Sequence, residues 1–281
     1  MDVAGRALYL EWNARIYMSI ATIVGLLSCF ALVVGSIVIS TDNYMLFIHA
    51  ASFAMVVGGT LGATFMSYEP RYVLLSLKLI IRIMNAPAIG RDVLQAEVGR
   101  IIKWAFAVQK NGPVALEAEA AKSVKGDKFL KFGIDCVISG YPGNDVREIM
   151  DNFTESTFGR NMAPVNIMKD MAASCPAFGM VGTLVGLIIM LDNMGGDPSE
   201  LGKGLAVAML TTLYGVIFSR MIFMPAASKM AQRESILRFR NFIIVEGLVM
   251  LAEKKPPRYI QDRLNGFLDP AIHFDVDKMK K

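Results

Sequence analysis

The sequence predicts an all-α membrane protein: four transmembrane helices in two hairpins, with a helical cytoplasmic domain between helices 2 and 3. Three observations predict it. First, 54 % of the 281 residues are hydrophobic and 19 % are charged, with a mean hydropathy of +0.44; a soluble domain has about 45–50 % and about 25 %. Second, four long stretches carry almost no charge. Third, lysine and arginine concentrate in the segments that would share one side of a bilayer.

Residues 1–15 read as a cytoplasmic stub carrying Arg6 and Arg15. No Asp, Glu, Lys or Arg lies between Ile16 and Thr41, nor between Asn43 and Tyr68, where His49 supplies the one imidazole. A bilayer core of about 30 Å takes about 20 residues of apolar helix. Residues 16–68 are therefore predicted as the first hairpin. The first run is too long, and too soon followed by another, for a cleaved leader. Met171 to Leu191 gives the third span, and Gly204 to Ser228 gives the fourth, interrupted only by Arg220. Arg220 stands near the inner end, where its long side chain can snorkel. Residues 171–228 form the second hairpin.

Orientation follows from Lys and Arg. The loop at 40–44 has none, and the loop at 192–203 has only Lys203, beside Asp192, Asp197 and Glu200. Residues 69–170 hold 14, and the tail, residues 229–281, holds 11. Both termini and the middle segment are thus expected in the cytoplasm.

The middle segment reads as helices. Val93, Leu94, Val98, Ile101, Ile102, Ala105 and Phe106 recur at helical spacing until Asn111-Gly112-Pro113. A short helix carries Leu116, Glu117 and Glu119, and another runs from Phe129 to Ser139. A helix from Asp145 leads toward the third span. The fourth span continues past Pro225 through Ile236, Phe239, Ile243 and Leu251 until Pro256-Pro257.

No catalytic constellation is present: there is no GxxxxGK[ST] loop, no HExxH and no Cys/His pair. The expectation is a non-enzyme without cofactor or metal. The +4 net charge does not suggest nucleic acid, and three scattered cysteines suggest neither a disulfide framework nor zinc. Small residues recur in the second hairpin: Gly182 and Gly186, then Gly204, Ala208 and Thr212, then Thr211, Gly215 and Ser219. Such faces let helices approach closely. Two readings stand: helix packing alone, or packing that also lines a polar path for an ion with Thr183, Thr211 and Thr212. Proton and sodium relays place Asp or Glu in the membrane, and no span here contains one. If ions pass, a partner must bring the carboxylate. His49, near the outer end of the second span, reads either as an interfacial residue or as a titratable group at an ion entrance.

These residues carry a resemblance. Cys175-Pro-Ala-Phe-Gly-Met-Val-Gly-Thr-Leu-Val-Gly-Leu187, Met190 to Met194 with Asp197-Pro198, Gly204 to Gly215 and Phe223-Met-Pro225 resemble the A subunits of bacterial flagellar stators, the MotA/PomA type of the MotA/TolQ/ExbB superfamily. Val56-Val57-Gly58-Gly59, Gly112 to Glu117 and Pro257-Arg258 to Phe267-Leu268 match at scattered points.

The resemblance implies a ring of five copies around a dimer of a MotB/PomB-type subunit in the bacterial inner membrane. That subunit has one membrane span with an essential Asp. H+ or Na+ passes between the Asp and the third and fourth helices, and the cytoplasmic domain drives the rotor protein FliG. By the same resemblance, Pro176 and Pro225 match the prolines that couple ion flow to movement. Taken alone, Pro176 reads as a helix start and Pro225 as a kink. Thr183 and Thr212 match the ion-path threonines of sodium-type members, whereas His49 falls where those members often have Asp. Tyr214, beside this face, reads as packing. Lys110, Glu117 and Glu119 are candidates for rotor contact; the family's Arg position is Gln109, with Lys110 beside it. The rival reading is an ExbB/TolQ-type or gliding-type motor energising an envelope process. The four spans and the Thr211-Thr-Leu-Tyr-Gly215 block argue against the ExbB/TolQ type, whose members usually have three spans.

Overall fold

A computed structural model describes residues 23–82, 91–112, 114–123, 126–195 and 198–276. The expected stub, residues 16–22 of the first span, Pro113 and Asp197 lie outside them. Among the described residues every regular element is helical. Four helical stretches are long and apolar enough to cross a membrane. By internal packing the chain divides into two units, Met1–Pro87 with Met162–Gln232, and Ala88–Asn161 with Arg233–Lys281.

In the first unit, α1 (Ile23–Ser40) leaves its apolar side chains uncovered. The second span departs from the uninterrupted helix expected of it. It opens with a 3-10 turn (Tyr44–Phe47), breaks at Ile48 and His49, and restarts as α2 (Ala50–Phe53). A π-turn (Ala54–Gly58) then leads into α3 (Gly59–Ser67), and α4 (Pro70–Arg82) follows. α8 (Gly143–Asp192) runs unbroken for 50 residues and holds the third span. α9 (Pro198–Ile217), a second π-turn (Phe218–Phe223) and α10 (Met224–Ala252) make up the fourth span and its extension. Ile167, Met171, Ala172, Cys175 and Phe223 form one buried cluster; Val165, Met168, Ala226, Ala227 and Met230 form another. Tyr68, just past α3, donates its hydroxyl proton to Asp170 on α8.

The second unit combines α5 (Arg91–Asn111), α6 (Val114–Ser123), α7 (Lys128–Ile138), α11 (Pro257–Asn265) and the adjoining parts of α8 and α10. Its core holds Ile101, Ile102, Trp104, Leu116, Leu130, Met150, Ile243, Ile244 and Leu248, all fully buried. On the predicted face of α5, Val98, Ile101, Ile102 and Ala105 are buried; Phe106 is exposed, and Trp104 and Val108 join the buried face. Arg240 of α10 donates to Glu97 Oε1 from Nε (3.0 Å) and Nη2 (2.6 Å), and also reaches Asp127 Oδ2 (2.5 Å). Asp127 in turn accepts the Leu130 amide at 3.0 Å and caps α7. Burial pushes the Asp127 carboxyl upward, but the Leu130 amide and Arg240 outweigh it and hold the group below its ordinary range. Arg147 on α8 pairs with Glu246 on α10. That bond to Glu246 is the main cause raising the Arg147 guanidinium.

Candidate functional site

The second hairpin supplies the site. α8 and α9 meet through residues with little or no side chain. A Cβ at Gly186 would lie 2.6 Å from the Ala208 nitrogen and 2.7 Å from the Gly204 oxygen. One at Gly182 would strike Thr211 Cγ2 at 2.4 Å. Any larger residue would pry the helices apart. The contact face of α9 is Gly204, Ala208, Thr211 and Gly215, continued by Ser219 in the π-turn beyond it, all buried. Thr212 is therefore not a continuation of the Gly204–Ala208 stripe, as the four-residue spacing predicts. The 3.6-residue turn carries it off the contact to the exposed edge.

At that edge two hydroxyls meet. Thr183 Oγ1 and Thr212 Oγ1 are 2.6 Å apart. The Ala208 carbonyl oxygen lies 3.2 Å from the first and 3.4 Å from the second. Thr183 also reaches the Gly179 carbonyl at 3.1 Å. Thr211 points elsewhere: fully buried, it donates back to Val207 and Ala208, each at 3.0 Å. Three hydroxyls thus crowd the Ala208 carbonyl, which has two lone pairs. Thr183 and Thr212 each have one proton, so hydroxyl lone pairs stay free at the exposed edge. This triangle of neutral oxygens can replace water around a hard cation or anchor a water file. It cannot hold a proton, because none of its groups is ionisable at neutral pH.

His49 is part-buried at the break in the second span. It caps α2, its Nδ1 accepting the Ser52 amide at 3.2 Å. Its own amide donates to Tyr214 Oη at 3.0 Å, and Tyr214 Oη donates to the Phe47 carbonyl at 2.5 Å. Tyr214 thus bridges the break in the second span from α9. Backbone groups left open inside a membrane need such a partner. Sequence reasoning set Tyr214 down as packing and missed this. The available signal was chemical: a tyrosine hydroxyl in an apolar helix seeks a partner.

Of the two prolines, Pro176 differs from its simplest reading. Pro176 does not start a helix; it lies deep inside α8. Pro225 is the second residue of α10, directly after the π-turn Phe218–Phe223. Arg220, in that turn, is exposed. In the second unit Gln109, Lys110, Glu117 and Glu119 are exposed around the α5–α6 turn, where Gly112 takes φ +76°. Leu116, fully buried beside them, ties α6 to the core. The rotor-candidate charges therefore flank one turn on a firmly anchored base. Among the described residues, no three His, Cys, Asp or Glu gather as a metal site would need.

A glycine-tight helix pair with an oxygen-lined edge, in a chain of four membrane-capable helices, is the architecture of a multi-pass membrane protein. The chain belongs to the MotA/TolQ/ExbB proton channel family, which matches residues 121–238. It is 31 % identical over 252 residues to chemotaxis protein PomA of Vibrio alginolyticus, spanning 90 % of this chain and 96 % of that protein. Motility protein A of Treponema pallidum is 27 % identical over 92 % of this chain and 98 % of its own. The flagellar MotAB stator complex from Bacillus subtilis shares the fold at a TM-score of 0.79 and 21 % identity, covering 90 % of this chain and 97 % of that one.

Proposed function

We propose that the chain is the ion-conducting A subunit of a bacterial flagellar stator, turning H+ or Na+ flow into torque on the rotor protein FliG. The observation that carries this is the Thr183–Thr212–Ala208 oxygen triangle at the edge of a helix pair whose spans contain no carboxylate. The path is half of a relay, and a MotB/PomB-type single-span partner bringing one Asp completes it. The exposed apolar faces beside the triangle, with Leu184 at 62 % and Met209 at 67 % exposure, suit burial against such a helix.

In this reading five copies surround a dimer of the partner in the inner membrane, with both termini in the cytoplasm. Passage of an ion past Thr183 and Thr212 shifts the third and fourth spans at Pro176 and Pro225. The shift reaches the second unit, where Lys110, Glu117 and Glu119 meet the rotor. No covalent chemistry is involved. One charge crossing 100 mV releases about 2.3 kcal/mol, enough to bias a step. The threonine pair favours sodium; His49 does not, and it serves the fold as a helix cap.

Deletion with complementation tests the proposal. Cells lacking the gene, and any other stator genes, should be flagellated but paralysed, and this gene with its partner gene should restore swimming. Full motility in such a deletion strain would overturn it.

A further inference from the structure

Pro176 leaves a defect in α8 that another helix repairs. In an α-helix the amide of residue 176 would bond the carbonyl of residue 172, and proline has no amide proton. The Ala172 carbonyl, in a residue 2 % exposed, is thus without its helical donor. Ser219 supplies one: its Oγ donates to the Ala172 oxygen at 2.6 Å, and the serine is 4 % exposed.

Ser219 is also part of the defect before Pro225. It is the second residue of the π-turn Phe218–Phe223, and its carbonyl accepts the Met224 amide that closes that turn. A proline ring clashes with the carbonyl four residues back, and a π-turn is one device that absorbs such a clash. Between the two defects the backbones nearly touch. A Cβ at Gly215 would lie 2.7 Å from the Cys175 oxygen and 3.2 Å from Pro176 Cα.

One serine therefore holds both ends. Its hydroxyl binds the carbonyl freed by Pro176, and its carbonyl closes the turn that precedes Pro225. We infer that Ser219 is a positioning residue that links the two prolines, so that a change of bend at Pro176 moves the π-turn at Pro225 through the Ala172–Ser219 hydrogen bond. This inference rests on the stator reading for its functional consequence and on geometry alone for the bond.

The test uses the full chain with its partner subunit. Ser219→Ala should lower torque per motor-bound complex by on the order of threefold, with complex number, counted by a fluorescent tag, unchanged; Ser219→Thr, which keeps the donor, should restore it. A second readout is independent of motility. Ser219→Ala should lower the Tm of the purified complex by about 3 °C in the Pro176 chain. With Pro176→Ala the restored amide takes over the Ala172 carbonyl, so the same change should cost less than about 1 °C. Unchanged torque per complex, or equal Tm losses in both backgrounds, overturns the inference. If Ser219→Ala leaves too little complex to assay, recovery of complex in the Pro176→Ala double variant supports it, and no recovery overturns it. A wild-type gene that fails to drive the motor would count against the stator reading alone, because the Tm comparison still reads the bond.

Discussion

The hydroxyl oxygens of Thr183 and Thr212 lie 2.6 Å apart on adjacent helices, and both face the Ala208 carbonyl. In the stator reading proposed above, neutral oxygens this close, with glycine at the helix contact, would line the ion path. Gly182 and Gly186 set the spacing of the two helices, and the two threonines supply the hydroxyls at their edge.

Removing one hydroxyl should therefore change ion use rather than assembly. Thr183→Ala is expected to lower swimming speed in sodium by on the order of threefold or more, by taking one oxygen from the path. The amount of chain in the membrane should stay constant. Speed should be compared in sodium and potassium buffers at one pH. Equal speeds before and after the change, in both buffers, would remove Thr183 from the path.

Widening the helix contact should do the opposite. Gly186→Ala adds a Cβ 2.6 Å from a backbone nitrogen, and overpacking of this kind costs about 1–3 kcal/mol. The expected result is less assembled complex on a native gel, in sodium and potassium alike.

Tyr214→Phe keeps the ring and deletes the bridge. The His49 amide and the Phe47 carbonyl lose their partner, and an unpaired buried group costs about 1–3 kcal/mol. The thermal midpoint of the complex should fall by several degrees. A midpoint equal to wild type would mean that the break in the second span has another partner.

The second unit should be acid-sensitive through Asp127. Its carboxyl is held low, so the folded state favours the charged form. That stabilisation is present above the ordinary carboxylate value of about 4 and disappears as pH falls through the lower, folded value. Asp151 runs the other way: burial, the largest cause, raises it, so its charge costs stability where it is ionised. Asp127→Asn, which can still cap α7, should lower the thermal midpoint at pH 7, and the deficit should shrink as pH falls through the lowered, folded value.

Reversing the charge of Glu117 to Lys should reduce motility with stator number at the motor unchanged or lower, and with the fold intact, because Glu117 is exposed beside the anchored Leu116. Circular dichroism of the purified complex should match wild type.

Much of this was legible in the sequence because the bilayer and helix periods act locally. Charge-free runs marked the spans, Gly112 marked a turn, and spacing marked the core of α5 apart from Phe106. The threonines were legible as types, but which of them faces the edge was not. Gly204, Ala208 and Thr212 repeat every four residues, and only the packed pair shows that Thr211 takes the buried position. Tyr214 and Ser219 were illegible for one shared reason. Each answers a backbone defect in a different helix, at the 47–49 break or at Pro176, and single-sequence periodicity carries no such cross-reference.

The most direct measurement is the rotation speed of a bead on a flagellar stub, in cells whose only stator is this chain with its partner, while the transmembrane ion gradient is varied. Stator action predicts a speed that falls steadily with the driving force and reaches zero when the gradient is abolished. Rotation that persists without the gradient, or none at any gradient with complexes present at the motor, would contradict it.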